Sequence, residues 1–259
     1  MRFPVLVSLN IVTTMAMIAV NGMANALPIN GLNTGQISAF YPNAFVPAGF
    51  TFSIWLVIYI LVIGFCIFQI SGCRIRENKE AVERIGSLFA LTNILNASWI
   101  LAWHYRMVSL SLLIMLLLLL TLVAIHLRLP IPDTSRPMQN RIWIQGTFSV
   151  YLGWIMTATI ANTTAWFVDK GWKGSPLSEE TWAIIMILAA GLLSFLMLSR
   201  KKNRIVPLVT VWSAGGIIAR QYGANGFNGV ALTGSIVCTV LLLAVILSAA
   251  RRPVSPETV

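Results

Sequence analysis

The feature that most constrains this chain is a series of apolar runs, at roughly 4–26, 48–70, 85–104, 108–127, 142–168, 182–199, 205–219 and 230–250. None of them carries Asp, Glu, Lys or Arg near its middle. A helix needs about 20 apolar residues to cross a hydrocarbon core of about 30 Å, and its backbone must satisfy its own hydrogen bonds there. The runs predict an all-α integral membrane protein of about eight transmembrane helices. A composition that is 57% hydrophobic and 10% charged excludes a soluble domain. The acids Glu77, Glu80, Glu83, Asp133, Asp169, Glu179, Glu180 and Glu257 all fall in loops or at helix ends. Proton- and ion-coupled carriers ordinarily keep an ionisable group within the membrane. Its absence argues against coupled transport and leaves a neutral pore open.

Two runs are weak. In the first, Arg2, the apolar stretch and Ala24-Asn25-Ala26 resemble a cleavable leader. The stretch is long for that role, and Asn10, Thr14 and Asn21 lie along one side of it, which suits a helix kept in a bundle. A retained helix is expected. The seventh run would reach only about 22 Å at 1.5 Å per residue. It also holds Pro207 and Gly215-Gly216. It must borrow flanking residues, thin the bilayer or sit among other helices.

Eight spans sort the 18 basic residues unevenly. Arg2, the group Arg74 to Arg84, the group Arg128 to Arg141, the group Arg200 to Arg204, and Arg251 with Arg252 share one side. Only Arg106, Lys170, Lys173 and Arg220 fall on the other. This bias predicts a multi-pass protein with both termini in the cytoplasm. The net charge of +10 does not imply nucleic acid as a partner, because the cations are scattered through short loops with no basic face. Cys66, Cys73 and Cys238 show no ligand spacing, so free thiols are expected and no metal site is implied.

Three runs carry aromatic and amide stripes at helical spacing. Tyr151, Trp154, Ala158 and Asn162 are 3, 4 and 4 apart; Phe52, Trp55 and Tyr59 are 3 and 4 apart; so are Asn96, Trp99 and Trp103. Each set falls on one helix face. One such stripe is as well explained by a helix seam or an interfacial aromatic belt. Three of them predict a shared cavity whose aromatic walls and few polar groups suit a flat, largely apolar ligand. The uncharged connection from Leu27 to about Pro47, with Asn30-Gly31, Pro42, Phe45 and Pro47, has the length of a lid. His104 and His126 have no Asp or Cys partner in sequence and are expected to sit at interfaces. Gly215-x3-Ala219 and Ala231-x3-Ser235 have the small-residue spacing of close helix packing.

The stretch Phe45-Val-Pro47-Ala48-Gly49-Phe50-Thr-Phe52-Ser-Ile-Trp55-Leu-Val-Ile-Tyr59 resembles the second-helix motif of the TspO/translocator-protein (tryptophan-rich sensory protein, TspO/MBR) family. Asn96-Ala-Ser-Trp99 resembles its third-helix motif, and Tyr151, Trp154, Ala158 and Asn162 match its fifth at the same spacing. The resemblance covers about residues 5–168. It implies a five-helix ligand-binding bundle over 1–168, followed by three additional helices and a short tail over 169–259. It also implies Trp55, Tyr59, Asn96, Trp99, Trp103, Tyr151, Trp154, Ala158 and Asn162 as ligand-binding residues, with Pro42, Phe45 and Pro47 in the lid. A porphyrin or other tetrapyrrole would be the ligand, the bilayer the surroundings and a homodimer the assembly. The chain departs from the motif at Ala48, Phe50 and Tyr41-Pro42, and the sterol-type pattern after helix five is missing, although Arg84-x4-Phe89-x-Leu91 fits its reversed form.

The expected function is a membrane receptor or sensor for such a ligand, with a transporter or facilitator of a neutral or amphipathic solute as the alternative. An enzyme is not expected, since no nucleophile–base pair, paired carboxylates or metal cluster is visible.

Overall fold

The computed structural model describes residues 1–27, 29–72, 74–130, 137–172 and 175–250. Cys73, Asp133, Lys173, Arg251, Arg252 and Glu257, used above, lie outside that set, as do Pro28 and Arg136. Among the described residues all regular structure is helical. The helices are α1 (Phe3–Ala26), α2 (Thr34–Ser38), α3 (Ile54–Ser71), α4 (Arg76–Ile85), α5 (Leu88–His104), α6 (Val108–Arg128), the single turn α7 (Met138–Asn140), α8 (Thr147–Asp169), α9 (Glu179–Lys201), α10 (Ile205–Asn225) and α11 (Gly229–Ala250). A 3₁₀ segment, Gly49–Ser53, leads into α3, and a π segment, Arg141–Gly146, leads into α8.

By length and composition, five of these helices can cross a membrane: Phe3–Ala26, Gly49–Ser71, Val108–Arg128, Glu179–Lys201 and Gly229–Ala250. The pair α4 and α5, bent by 49° at their junction, makes a sixth if taken as one span. The long helices α8 and α10 are richer in glycine and in hydroxyl and amide side chains and fall outside that set. Large apolar residues such as Ile60 and Ile67 of α3, Leu113 and Leu120 of α6 and Leu243 and Leu247 of α11 point outward and are exposed. Outward-facing apolar side chains at this density require lipid as the solvent. The chain is a multi-pass integral membrane protein.

Local sequence explains most helix ends. Ser178 caps α9 by accepting from the Thr181 N–H, Glu179 and Glu180 sit in the first turn, and Arg200 and Lys201 in the last, each favourable to the helix dipole. The seventh apolar run becomes a helix of 21 residues because it continues past Arg220 to Asn225. Pro207 sits in its first turn, where a missing N–H leaves no bond unmade. The charged stretch before the third run is α4, a helix the apolar pattern alone does not reveal. Its signal is the pairing of Arg76 with Glu80 (3.0 Å) and Lys79 with Glu83 (3.8 Å), each four residues apart. Gly86, at φ 60°, makes the bend into α5.

Five helices close a ring: α1 packs on α3 and α5, α5 on α6, α6 on α8, and α8 on α3. Inside it Phe65, Phe89 and Phe148 meet edge to face with centroids 4.9–5.8 Å apart. The polar side of α1 faces inward. The Asn10 amide donates to Gln69 Oε1 (2.7 Å), Thr14 Oγ1 accepts from Asn93 Nδ2 (2.9 Å), and the Asn21 amide donates to Asn96 Oδ1 (2.8 Å). Outside the ring, α10 packs on α8 and is flanked by α9 and α11. This trio has its own small core, in which Phe45 from the α1–α3 connection joins Ala183, Ile187, Ile217, Val230, Val237 and Leu241.

Candidate functional site

The connection between α1 and α3 is tied down from two sides. On the ring side, buried His104 of α5 takes two bonds from its ring nitrogens, to the Ile29 carbonyl (3.1 Å) and the Thr34 hydroxyl (3.1 Å). The Trp103 indole donates to the Thr34 carbonyl (3.3 Å). On the α10 side, the Ala48 N–H donates to the Gly216 carbonyl (2.9 Å), the Trp212 indole to the Thr51 carbonyl (2.9 Å), and the Gln221 amide to the Ala44 carbonyl (2.7 Å). Gly216 is required here, because a Cβ at that position would overlap the Thr51 side chain. His104, expected only to sit at an interface, is therefore an anchor of the loop. His126 bonds its own helix at the Leu122 carbonyl (3.2 Å).

Beneath the loop lies an aromatic slot. Trp55, Trp99, Trp103, Trp154, Ala158 and Asn162 line it, and Phe45, Pro47 and Tyr41 close it from above. Trp55 is stacked near-parallel on Trp99 (6.1 Å, 25°) and meets Trp154 edge to face (6.1 Å, 83°); Trp99 is stacked on Trp103 (6.2 Å, 18°). Asn162 Oδ1 accepts from the Trp99 indole (3.3 Å), and its amide exchanges bonds with Ser111 of α6. The Trp154 Nε1–H is buried with no hydrogen-bond partner. An unpaired buried donor costs about 1–3 kcal/mol, a cost that an acceptor on a ligand would remove. Burial holds the Tyr41 phenol above its usual pKa, with the Asp169 carboxylate adding to the effect and Arg106 opposing it, so the Tyr41 phenol stays neutral.

The slot is tight. Its cavity volume is about 60 Å³, below the roughly 150 Å³ of a cavity that holds benzene. On the other face of Trp55, between α1 and α3, lies a groove of about 670 Å³. Thr34, Ser38, Val46, Pro47, Phe52 and Trp55 belong to both spaces and form the wall between them.

The remaining residues singled out by the stripes fall elsewhere. Tyr59 lies in the groove, stacked on Trp55 at 5.8 Å. Tyr151 is fully buried behind Trp55, edge to face at 6.2 Å, with its hydroxyl unpaired. Asn96 is committed to Asn21 and lines neither space. Pro42 is exposed at the loop surface and lines neither. Sequence reasoning missed Ala161 and Ala165, which extend the α8 stripe along the slot at the same helical spacing and were legible in principle. It also missed Ser111, for which nothing in the apolar run gives a signal. Among the described residues no group of three His, Cys, Asp or Glu side chains could hold a metal ion.

The sequence profile of the TSPO-like protein family matches residues 7–248, and so runs through α9 and α10 and most of α11 as well as the ring. No curated protein and no solved structure matches the chain.

Proposed function

Given that this chain belongs to the TSPO-like protein family, we propose that it is a membrane ligand-binding or sensory protein for a flat, largely apolar ligand of porphyrin type. The observation that carries the reading is the convergence of Trp55, Trp99, Trp103 and Trp154 with Asn162 on one narrow space, where the Trp154 indole N–H has no partner. The slot as it stands is too narrow for such a ligand, at about 60 Å³. Rotation of Trp55 out of the shared wall joins it to the groove, and the combined space then accepts a planar ligand against the remaining indoles. Asn162 and Trp154 orient it, and displacement of the loop passes the signal to α10. In this reading all eight long helices span the bilayer, with α8 and α10 shielded by their neighbours, and both termini are cytoplasmic.

Titration of a porphyrin against tryptophan fluorescence, followed in parallel by the porphyrin's own absorption band, tests the reading. Saturable binding is expected. Trp154→Phe combined with Asn162→Ala should weaken it by about tenfold or more, the loss of roughly one charge-neutral hydrogen bond and its packing. Binding unchanged by the double substitution overturns the site.

One observation favours the alternative of a facilitator for a neutral solute. A row of buried polar groups follows α1 from Asn10 through Thr14 to Asn21, and Asn10 Oδ1, Gln69 Nε2, Asn93 Oδ1 and Asn96 Nδ2 along it are left unpaired. Such atoms are expensive inside a membrane unless water or solute reaches them. Solute flux into liposomes, abolished by apolar replacement along this row, would support that reading over a pure receptor.

A further inference from the structure

A separate cavity opens at the end of the bundle where α1 begins. The Lys79 ammonium of α4 lies over the Phe3 ring of α1 (5.6 Å), which fixes α4 at that end. In the orientation proposed above this is the cytoplasmic face. α4 buries Asn78, Val82 and Ile85 against the bundle. Glu77, Ala81 and Arg84, four and three residues apart, share the neighbouring face. They form one wall of a cavity of about 230 Å³, which Asn140 and the π-segment residue Gln145 also line.

The polar groups of this cavity are unmatched. The Glu80 carboxylate is held by Arg76 at 3.0 Å, whereas Glu77 and Arg84 belong to none of the ion pairs among the described residues. Asn140 is nine-tenths buried, and neither its amide nor that of Gln145 has a hydrogen-bond partner among the described residues. The free carboxylate and the free guanidinium belong to residues two turns apart, about 10 Å along the helix axis. A purely anionic ligand would meet Glu77, and a purely cationic one would meet Arg84, so the complement is a zwitterion. A guanidinium suits a phosphate. Carboxylate and amide oxygens are acceptors that call for N–H donors. A quaternary ammonium is ordinarily held by aromatic rings, and the described lining has none. Along α6, Leu113, Leu120 and Leu127 are seven apart and exposed, an apolar track that ends two residues before Leu129 in the cavity wall.

We propose that this cavity is a headgroup site for phosphatidylethanolamine. Arg84 pairs with the phosphate, Glu77 and the Asn140 and Gln145 carbonyl oxygens take the primary ammonium, and the acyl chains follow the outer face of α6. The site stands apart from the slot and does not depend on the ligand proposed there.

The test is native mass spectrometry of the full, delipidated chain in detergent, given equal amounts of phosphatidylethanolamine, phosphatidylcholine and phosphatidylglycerol with identical acyl chains. Phosphatidylethanolamine is expected to be retained about threefold over the other two, the range of a partly exposed ion pair. Its mono- and dimethylated forms should fall in between, because each methyl removes one N–H donor. Glu77→Gln should bring phosphatidylethanolamine down to phosphatidylcholine, and Arg84→Gln should weaken all three lipids, which share the phosphate. Both side chains are exposed, so thermal unfolding of the two variants should match the parent. Porphyrin binding should be unchanged by Glu77→Gln. Equal retention of phosphatidylethanolamine and phosphatidylcholine, or a preference that survives Glu77→Gln, overturns the proposal. A preference for phosphatidylglycerol marks a plain anion site and overturns it as well. If soluble phosphoethanolamine displaces the lipid at equal concentration, the occupant is a soluble zwitterion and the lipid assignment falls.

Discussion

The five-helix ring and the α9–α11 trio bury similar kinds of residue but treat them differently. In the ring, buried polar atoms are left over: Asn10, Gln69, Asn93, Asn96, Tyr151 and Trp154 each keep one without a partner, and a slot and a groove lie between the helices. In the trio no such atom occurs among the described residues. The Ser194 and Thr210 hydroxyls bond each other at 2.6 Å, and Gly191 and Gly234 admit Val237 and Ile218 into close contact. Small residues at helix crossings give dense van der Waals packing, the main source of association in lipid. The contrast divides the labour. Room and unmet hydrogen bonds, the raw material of binding, are in the ring; the trio is a close-packed support that holds the loop over the site.

The junction between the two regions is where the division breaks most easily. Gly216→Leu places a side chain where the Thr51 side chain now lies, beside the Ala48 N–H bond to the Gly216 carbonyl. Overpacking of this kind costs about 1–3 kcal/mol, and lost loop contacts add to it. The expected result is a clear fall in thermal unfolding temperature in detergent and faster proteolysis of the 27–53 loop. Gly215→Ala, with nothing within 4 Å of its new Cβ, is the matched control and should leave both unchanged. If the two variants behave alike, α10 does not hold the loop.

A smaller effect is expected within the ring's polar seam. Asn10→Leu removes the donor to Gln69 and leaves that amide buried and unpaired. The loss should be about 1–2 kcal/mol, because hydrogen bonds between membrane helices average less than their counterparts in isolation suggest. Replacing Asn10 and Gln69 together by Leu should recover most of it, since no orphan remains. Unfolding titrations of the two variants check the sign. A double variant as unstable as the single one would mean the seam is held by something other than this pair, such as internal water serving a solute path.

Much of this was legible in the sequence. The apolar runs gave the long helices to within about six residues at either end, and the stripes on α3, α5 and α8 named the slot's four indoles and Asn162, because helical spacing alone decides which side chains share a face. What periodicity cannot tell is which face of which helix the stripe meets. Asn96 sits in the same stripe as Trp99, yet α1 passes closer to it than the slot does, and Asn21 claims it. Tyr59 lies one turn beyond Trp55, yet that turn carries it into the groove. The loop's hold on α10 was also hidden. The Gly215-x3-Ala219 spacing suggested close helix packing, but nothing in the chain says that the residue making the close approach would be Gly216, or that its partner would be Thr51 and not another helix. The amphipathic α4 was missed because its signal is charge pairing, not an apolar run.

The smallest effect sharpens the comparison most. Ser194→Ala breaks the 2.6 Å hydroxyl pair with Thr210, the best-formed side-chain bond between α9 and α10. Thr210 loses little by it, because its hydroxyl also donates to the Val206 carbonyl (3.3 Å). The cost should be about 0.5 kcal/mol, near the average measured for such bonds between membrane helices. Alanine also preserves the small residue that the crossing needs, so packing is unchanged. Ser194→Leu, by contrast, inserts a branched side chain at a fully buried crossing and should cost several times as much. If unfolding measurements show Ser194→Ala to be as damaging as Ser194→Leu, the trio is held by its hydroxyl pair. The ring and the trio would then differ in degree of satisfaction, not in the kind of force that assembles them.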